Sequence, residues 1–278
     1  MGFKDGRRLV YYYHVLRFEA IKKIFRFFYG VFLRAKIYIL SRFYRMFGYR
    51  NVHFIHIRKT GGTAIKNALR GINKTSRRYK IWLHPHRVSL KYIPRGDYIV
   101  IFVRDPISRF ISGFYSRLRE GRPANYFPWT PGEREAFKYF KTPDQLGKAL
   151  KSRDRDIRMK ALKAMRDILH VNTFLTDWLI SEDYLYRRLD DILFIGLQEN
   201  LEEDFEILKR ILGIPEKISL PKDPRLSHRS PVNEDRNLSS EALEALREWY
   251  GEDIKIYNFL IKVRRNILSK IREGFDKM

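Results

Sequence analysis

Phe54-Ile55-His56-Ile57-Arg58-Lys59-Thr60-Gly61-Gly62-Thr63-Ala64-Ile65 is the stretch that decides the fold. The apolar residues Phe54, Ile55 and Ile57 read as a buried strand. The chain breaks at Lys59-Thr60-Gly61-Gly62-Thr63 and then enters a run of helix formers from Ala64 to Arg70. Two adjacent glycines between strand and helix permit a tight turn that aims successive N–H groups at one point. A helix start adds partial positive charge there, and Lys59 adds a full one. The combination predicts a phosphate-binding loop. The Walker pattern G-x-x-x-x-G-K-[ST] sets its lysine after the glycines, whereas Lys59 precedes Gly61 and Gly62. An ordinary nucleotide kinase is disfavoured at the first motif.

A second strand run, Tyr98 to Val103, is followed at once by Arg104-Asp105-Pro106. Arg109 and Ser112 come next, in a stretch with helical periodicity that ends near Arg117. A strand ending in KTGGT and a later strand ending in RDPxxRxxSxxY together resemble the two donor-binding motifs of sulfotransferases that use 3′-phosphoadenosine 5′-phosphosulfate (PAPS). The resemblance implies that Lys59, Thr60, Gly61, Gly62 and Thr63 hold the 5′-phosphosulfate. It likewise implies that Arg104 and Ser112 hold the 3′-phosphate. The implied fold is α/β, P-loop-like and three-layered, with a central parallel sheet and ligands at the strand C-termini.

Between the motifs lies Trp82-Leu83-His84-Pro85-His86-Arg87. This resembles the H-x-H element of glycan sulfotransferases of the heparan 2-O type. By that resemblance His86 is the general base and His84 its catalytic companion. A hydroxyl attacking sulfur must lose a proton, and imidazole titrates near working pH. An ordinary loop histidine and a metal-ligand pair are the other readings, although no cysteine is present to complete a zinc site. Relatives usually carry proline before the loop lysine, and this chain has Arg58 instead. Arg58, Arg87 and Arg117 are candidates for binding an acidic acceptor. The late basic loop Asp223–Pro231 supplies two more donor-site candidates, Arg229 and Ser230.

The 278 residues suffice for one sizeable α/β domain with an appendage. A formal charge of +24 calls for a negatively charged partner beyond the nucleotide: acidic polysaccharide, anionic lipid or nucleic acid. An acidic glycan acceptor is preferred, with no specific nucleic-acid contact. Zero cysteines exclude a disulfide scaffold and thiol catalysis and fit a cytoplasmic protein. No stretch of 18 uninterrupted apolar residues and no signal peptide is visible.

Residues 1–50 form a separate zone. Twelve Lys and Arg stand there against Asp5 and Glu19, with 15 of the 37 Phe and Tyr. Residues such as Leu16, Ile21, Phe25 and Phe32 interleave with Arg17, Lys22, Arg26 and Arg34, as in basic amphipathic helices. Such helices suit an anionic membrane surface, although packing on the catalytic domain or on a second subunit, or nucleic acid, would use them too. The catalytic domain is expected over 51–265, followed by a tail over 266–278. Within it, 119–165 is read as an acceptor-side lid or a solvated charged face. Asp191–Leu197 reads as a further core strand, feeding a helix with an acidic first turn that stops at Gly213.

The chemistry expected is transfer of a sulfuryl group to a sugar hydroxyl. The enzyme rival is a P-loop phosphotransferase with Asp105 as its magnesium ligand. The non-enzyme rival is a basic membrane- or nucleic-acid-binding protein that keeps the fold.

Overall fold

The computed structural model describes residues 28–72, 76, 78–227 and 234–275. Four strands form one parallel sheet in the order β2-β1-β3-β4: β1 (Arg50–Ile55), β2 (Tyr79–Leu83), β3 (Tyr98–Val103) and β4 (Ile192–Leu197). The inner strands are near-continuous Val, Ile and Phe runs because both faces of a parallel sheet are covered. Alternate residues serve opposite cores. Val52, Phe54, Val100, Phe102 and Phe194 face α2 (Gly62–Ala68) and α9 (Leu201–Leu212), against Ile65, Leu69, Phe205 and Leu208. Ile55, Ile99, Ile101 and Ile195 face α7 (Thr176–Leu179), α8 (Glu182–Tyr186) and α12 (Gly251–Phe275), against Leu179, Leu185, Ile256 and Leu260. The expected three layers are present.

From β1 the chain leaves through α2 to β2 on one side, and β3 lies on the other. The strand order therefore reverses between β1 and β3. Open α/β sheets bind ligands in the crevice outside such a switch point.

The segment 119–165 is a packed layer, which corrects its reading as a lid. Its helices are α4 (Pro131–Tyr139), α5 (Pro143–Ala149) and α6 (Arg155–Asp167). They bury Phe137, Phe140, Leu146, Ala161 and Met165 against Phe110 and Phe114 of α3 (Pro106–Leu118) and Leu246 of α11 (Ser240–Trp249). Thr130–Glu133 and Thr142–Gln145 capping boxes, each with proline at the first helical position, fix where α4 and α5 begin.

The proposed C-terminal tail also needs correction. Residues 266–275 continue α12, and Ile267, Leu268 and Ile271 pack on the two sheet cores, so no separate tail starts at 266. At the other end, α1 (residues 28–46) docks on the domain. Ile37 is buried in the sheet core, Ser41 donates to Asp97, and Arg45 pairs with the same carboxylate at 2.6 Å. The earlier basic aromatic positions, Leu16 to Arg26 among them, lie outside the described residues. Among the described residues, no helix is long and apolar enough to cross a membrane.

Candidate active site

A cleft of about 770 Å³ opens at the switch point. It collects Lys59, Gly61, Gly62 and Thr63 from the β1 loop, Arg104 from the end of β3, and Ser112 from α3. Seven sequence-designated donor residues were described, and six of them line this one space. The seventh, Thr60, is buried behind the loop, where its hydroxyl donates to the Ile57 carbonyl at 3.1 Å and closes the turn. Arg229 and Ser230 lie outside the described residues.

The loop geometry explains its composition. Lys59 (φ 65°) and Gly61 (φ 77°) are both left-handed, a backbone pattern that turns successive N–H groups to one side as an anion-binding concavity. A Cβ on Gly61 would come within 2.9 Å of Leu201, and one on Gly62 within 2.3 Å of the His56 ring. Only glycine fits at either place. Helix α2 then starts with no side-chain cap and no acidic residue in its first turn.

Cations converge here. Burial, and then the charges of Arg104, Arg119 and Arg236, push the Lys59 ammonium down to about 8. Burial lowers Arg104 to about 10; Glu199 opposes the shift and Arg236 adds to it. The Arg104 Nε is buried with no hydrogen-bond partner among the described residues. A ligand bearing anions at two separate points fits this arrangement, since it would neutralise the cluster and satisfy that donor. Arg236 was missed in the sequence. It comes from the segment just after Arg229 and Ser230, lines the cleft, and stands 3.7 Å from Glu234, which also pairs with Arg119.

Asp105 is occupied otherwise than the phosphotransferase reading requires. Its carboxylate caps α3 by accepting from the Ser108 N–H at 2.8 Å, so this acid is a helix cap.

The two histidines of H-x-H have different surroundings. His86 lines the cleft, and its Nδ1 lies 2.9 Å from the His56 carbonyl oxygen. A carbonyl only accepts, so Nδ1 carries the hydrogen and Nε2 is the basic nitrogen. The His86 carbonyl in turn accepts from the Trp178 indole at 2.8 Å, which fixes the loop. His84 is buried beside the sheet. Its Nε2 is 2.8 Å from His53 Nδ1, and His53 Nε2 is 3.0 Å from Asp97. Burial, then His53 and Lys66, hold His84 at about 3. It is a neutral structural link outside the cleft, which corrects its assignment as a catalytic companion.

Of the three acceptor-side arginines, only Arg58 lines the cleft. Its guanidinium donates to Nδ1 of His170 at 3.3 Å. Arg87 is exposed and not among the lining residues, and is felt as a charge at Arg58. Arg117 is corrected outright. It is buried, with Nε 2.5 Å and Nη2 2.7 Å from the two Glu133 oxygens and further bonds to the Phe127 and Pro128 carbonyls. Four of its five N–H donors are engaged there, and it does not line the cleft.

His170, also unnoticed in the sequence, completes this side. Burial, then Lys59 and Arg58, push it well below the usual histidine range, so it is neutral at working pH. Its backbone is left-handed (φ 69°), and its carbonyl lies 3.1 Å from where a Cβ on Gly113 would be. Gly113 of α3 is what lets this turn approach. Among the described residues, none from 119–165 lines the cleft.

One cleft at the switch point of a parallel α/β sheet thus gathers a glycine loop with its lysine, a cationic strand end and a histidine, the frame of a group-transfer enzyme. The chain belongs to the sulfotransferase family, whose model matches residues 42–260. The activity of that family is transfer of a sulfuryl group. A search of curated proteins returns no match to this chain.

Proposed function

We propose that the protein transfers a sulfuryl group from PAPS to a hydroxyl of an acidic polysaccharide. The observation that supports this best is the single cleft in which the Lys59 loop, Arg104 and a correctly tautomeric His86 meet. PAPS, when bound, supplies the sulfuryl group. Lys59 and the N–H groups of Gly61, Gly62 and Thr63 hold the charge that moves onto the departing oxygens, the kind of fixed electrostatics that usually contributes most. Arg104, with Ser112 and Arg236, selects a 3′-phosphate and so separates PAPS from ATP. His86 Nε2 takes the proton of the attacking hydroxyl. Arg58, held by His170, adds positive charge beside the base, which suits an acceptor already bearing carboxylates or sulfates. The lack of cysteine suits a reducing compartment, and we place the enzyme in the cytoplasm.

The test is sulfur label transferred from PAPS to a panel of desulfated, carboxylated and neutral polysaccharides. Transfer is expected to acidic acceptors with wild type and to be lost with His86→Ala. Transfer from γ-labelled ATP instead would support the phosphotransferase. Absence of any transfer, with salt-sensitive nucleic-acid binding, would support the basic binding protein.

A further inference from the structure

Helix α1 is apolar on two opposite faces, and the domain uses only one. The inner face, centred on Ile37, is buried in the sheet core with Leu33 packed beside it. The outer face carries Phe32, Ile39, Phe43 and Met46, spaced by seven, four and three residues, which at 3.6 residues per turn form one stripe. Their exposures are 65%, 63%, 49% and 83%. Isolated exposed apolar residues are ordinary, but an aligned stripe of large ones marks an interaction surface.

What covers the stripe must also accept positive charge. Lys36 and Arg42 flank it, and the sequence holds no Asp or Glu between Glu19 and Asp97. A second copy would set these cations against their own images. Residues 1–27 are a poor cover for the same reason, with seven Lys and Arg against Asp5 and Glu19. An anionic polymer matches the charge but offers the stripe no apolar medium. A bilayer with anionic headgroups supplies both, taking aromatic and aliphatic side chains at the headgroup boundary and the cations on its phosphates.

We propose that α1 docks the protein on an anionic lipid surface through its outer stripe, Phe32, Ile39, Phe43 and Met46. The C-terminal part of α1 is tied through Asp97 to the start of β3. That is the opposite end of the sheet from the cleft at the strand C-termini, so docking leaves the cleft open to an acceptor. The inference is independent of which group the enzyme transfers.

The experiment is cosedimentation of the full chain with vesicles of phosphatidylcholine alone and of phosphatidylcholine mixed with phosphatidylglycerol. Wild type should bind the mixed vesicles only. Ile39→Asp and Phe43→Asp, checked for folding by circular dichroism and for unchanged 3′,5′-ADP binding, should each weaken that binding by about tenfold or more. Equal binding by the variants would show that loose surface cations suffice, and would overturn the role of the stripe. Failure to bind either vesicle would also overturn the proposal. In that case a dimer in sedimentation velocity, broken by Ile39→Asp, would assign the stripe to a second copy, and a monomer would assign it to residues 1–27.

Discussion

The two sides of the cleft, proposed above for donor and for acceptor, are built by different means. On the donor side the backbone dominates: Lys59 and Gly61 in left-handed conformation, Gly62 closed in by His56, and one arginine where β3 ends. On the acceptor side the groups are side chains from distant segments. Arg58 follows β1, His86 follows β2, and His170 sits in the turn after α6. Backbone sites impose residue types at fixed spacing. Side-chain sites need only proximity in space, and so leave little trace in sequence.

Substitutions can break this division or sharpen it. The largest effect is expected at His86, where alanine should lower turnover by about 10²–10⁴-fold without altering 3′,5′-ADP binding. His84→Ala, two residues away, should instead lower thermal stability while folded protein keeps its turnover. If both lose turnover alike, the distinction between them fails. Arg117→Ala comes next. Leaving Glu133 charged and buried should cost ~3–5 kcal/mol in denaturant unfolding, with the acceptor KM of the folded fraction unchanged.

Arg104→Ala should weaken 3′,5′-ADP by about 10–100-fold and leave 5′-AMP alone, the range for a lost charged hydrogen bond. The pH dependence of the same binding tests the loop lysine. Lys59 titrates at about 8 in the free protein, and a bound anion favours its charged form. Affinity should therefore be flat below that pH and fall above it, by up to about tenfold per pH unit. Lys59→Arg should abolish the fall. The smallest change is expected at Arg58, where alanine should raise KM for acidic acceptors by about 5–10-fold and leave neutral ones unaffected.

The same division sets what was legible in sequence. β3 and β4 could be read because they are unbroken apolar runs, and α9 because acidic residues and Gly213 punctuate it; β1 was caught only at its end, Phe54 and Ile55, because Arg50, Asn51 and His53 interrupt the apolar signal before it. β2 was not separated from the H-x-H segment. It is an edge strand, Tyr79-Lys80-Ile81-Trp82-Leu83, with Lys80 breaking the apolar signal. The 119–165 layer was misread because dense Lys and Arg on its outer side obscure a small inner face of Ala161, Ala164 and Met165. Arg117 looked like a substrate cation because its partner Glu133 lies 16 residues on, with a loop between. His170 carries no local signal at all, since only the fold brings it to Arg58. Arg236 had a partial signal: the basic late loop was the right region, and the residue that reaches the cleft is a few positions further on.

The most direct test of the central claim is calorimetric titration with 3′,5′-ADP beside 5′-AMP and ATP. The expected result is tight binding of 3′,5′-ADP alone, weakened by about 10–100-fold in Arg104→Ala and retained in His86→Ala. Equal affinity for the three nucleotides, or no effect of Arg104→Ala, would contradict a 3′-phosphate site and with it the sulfuryl donor assigned to this cleft.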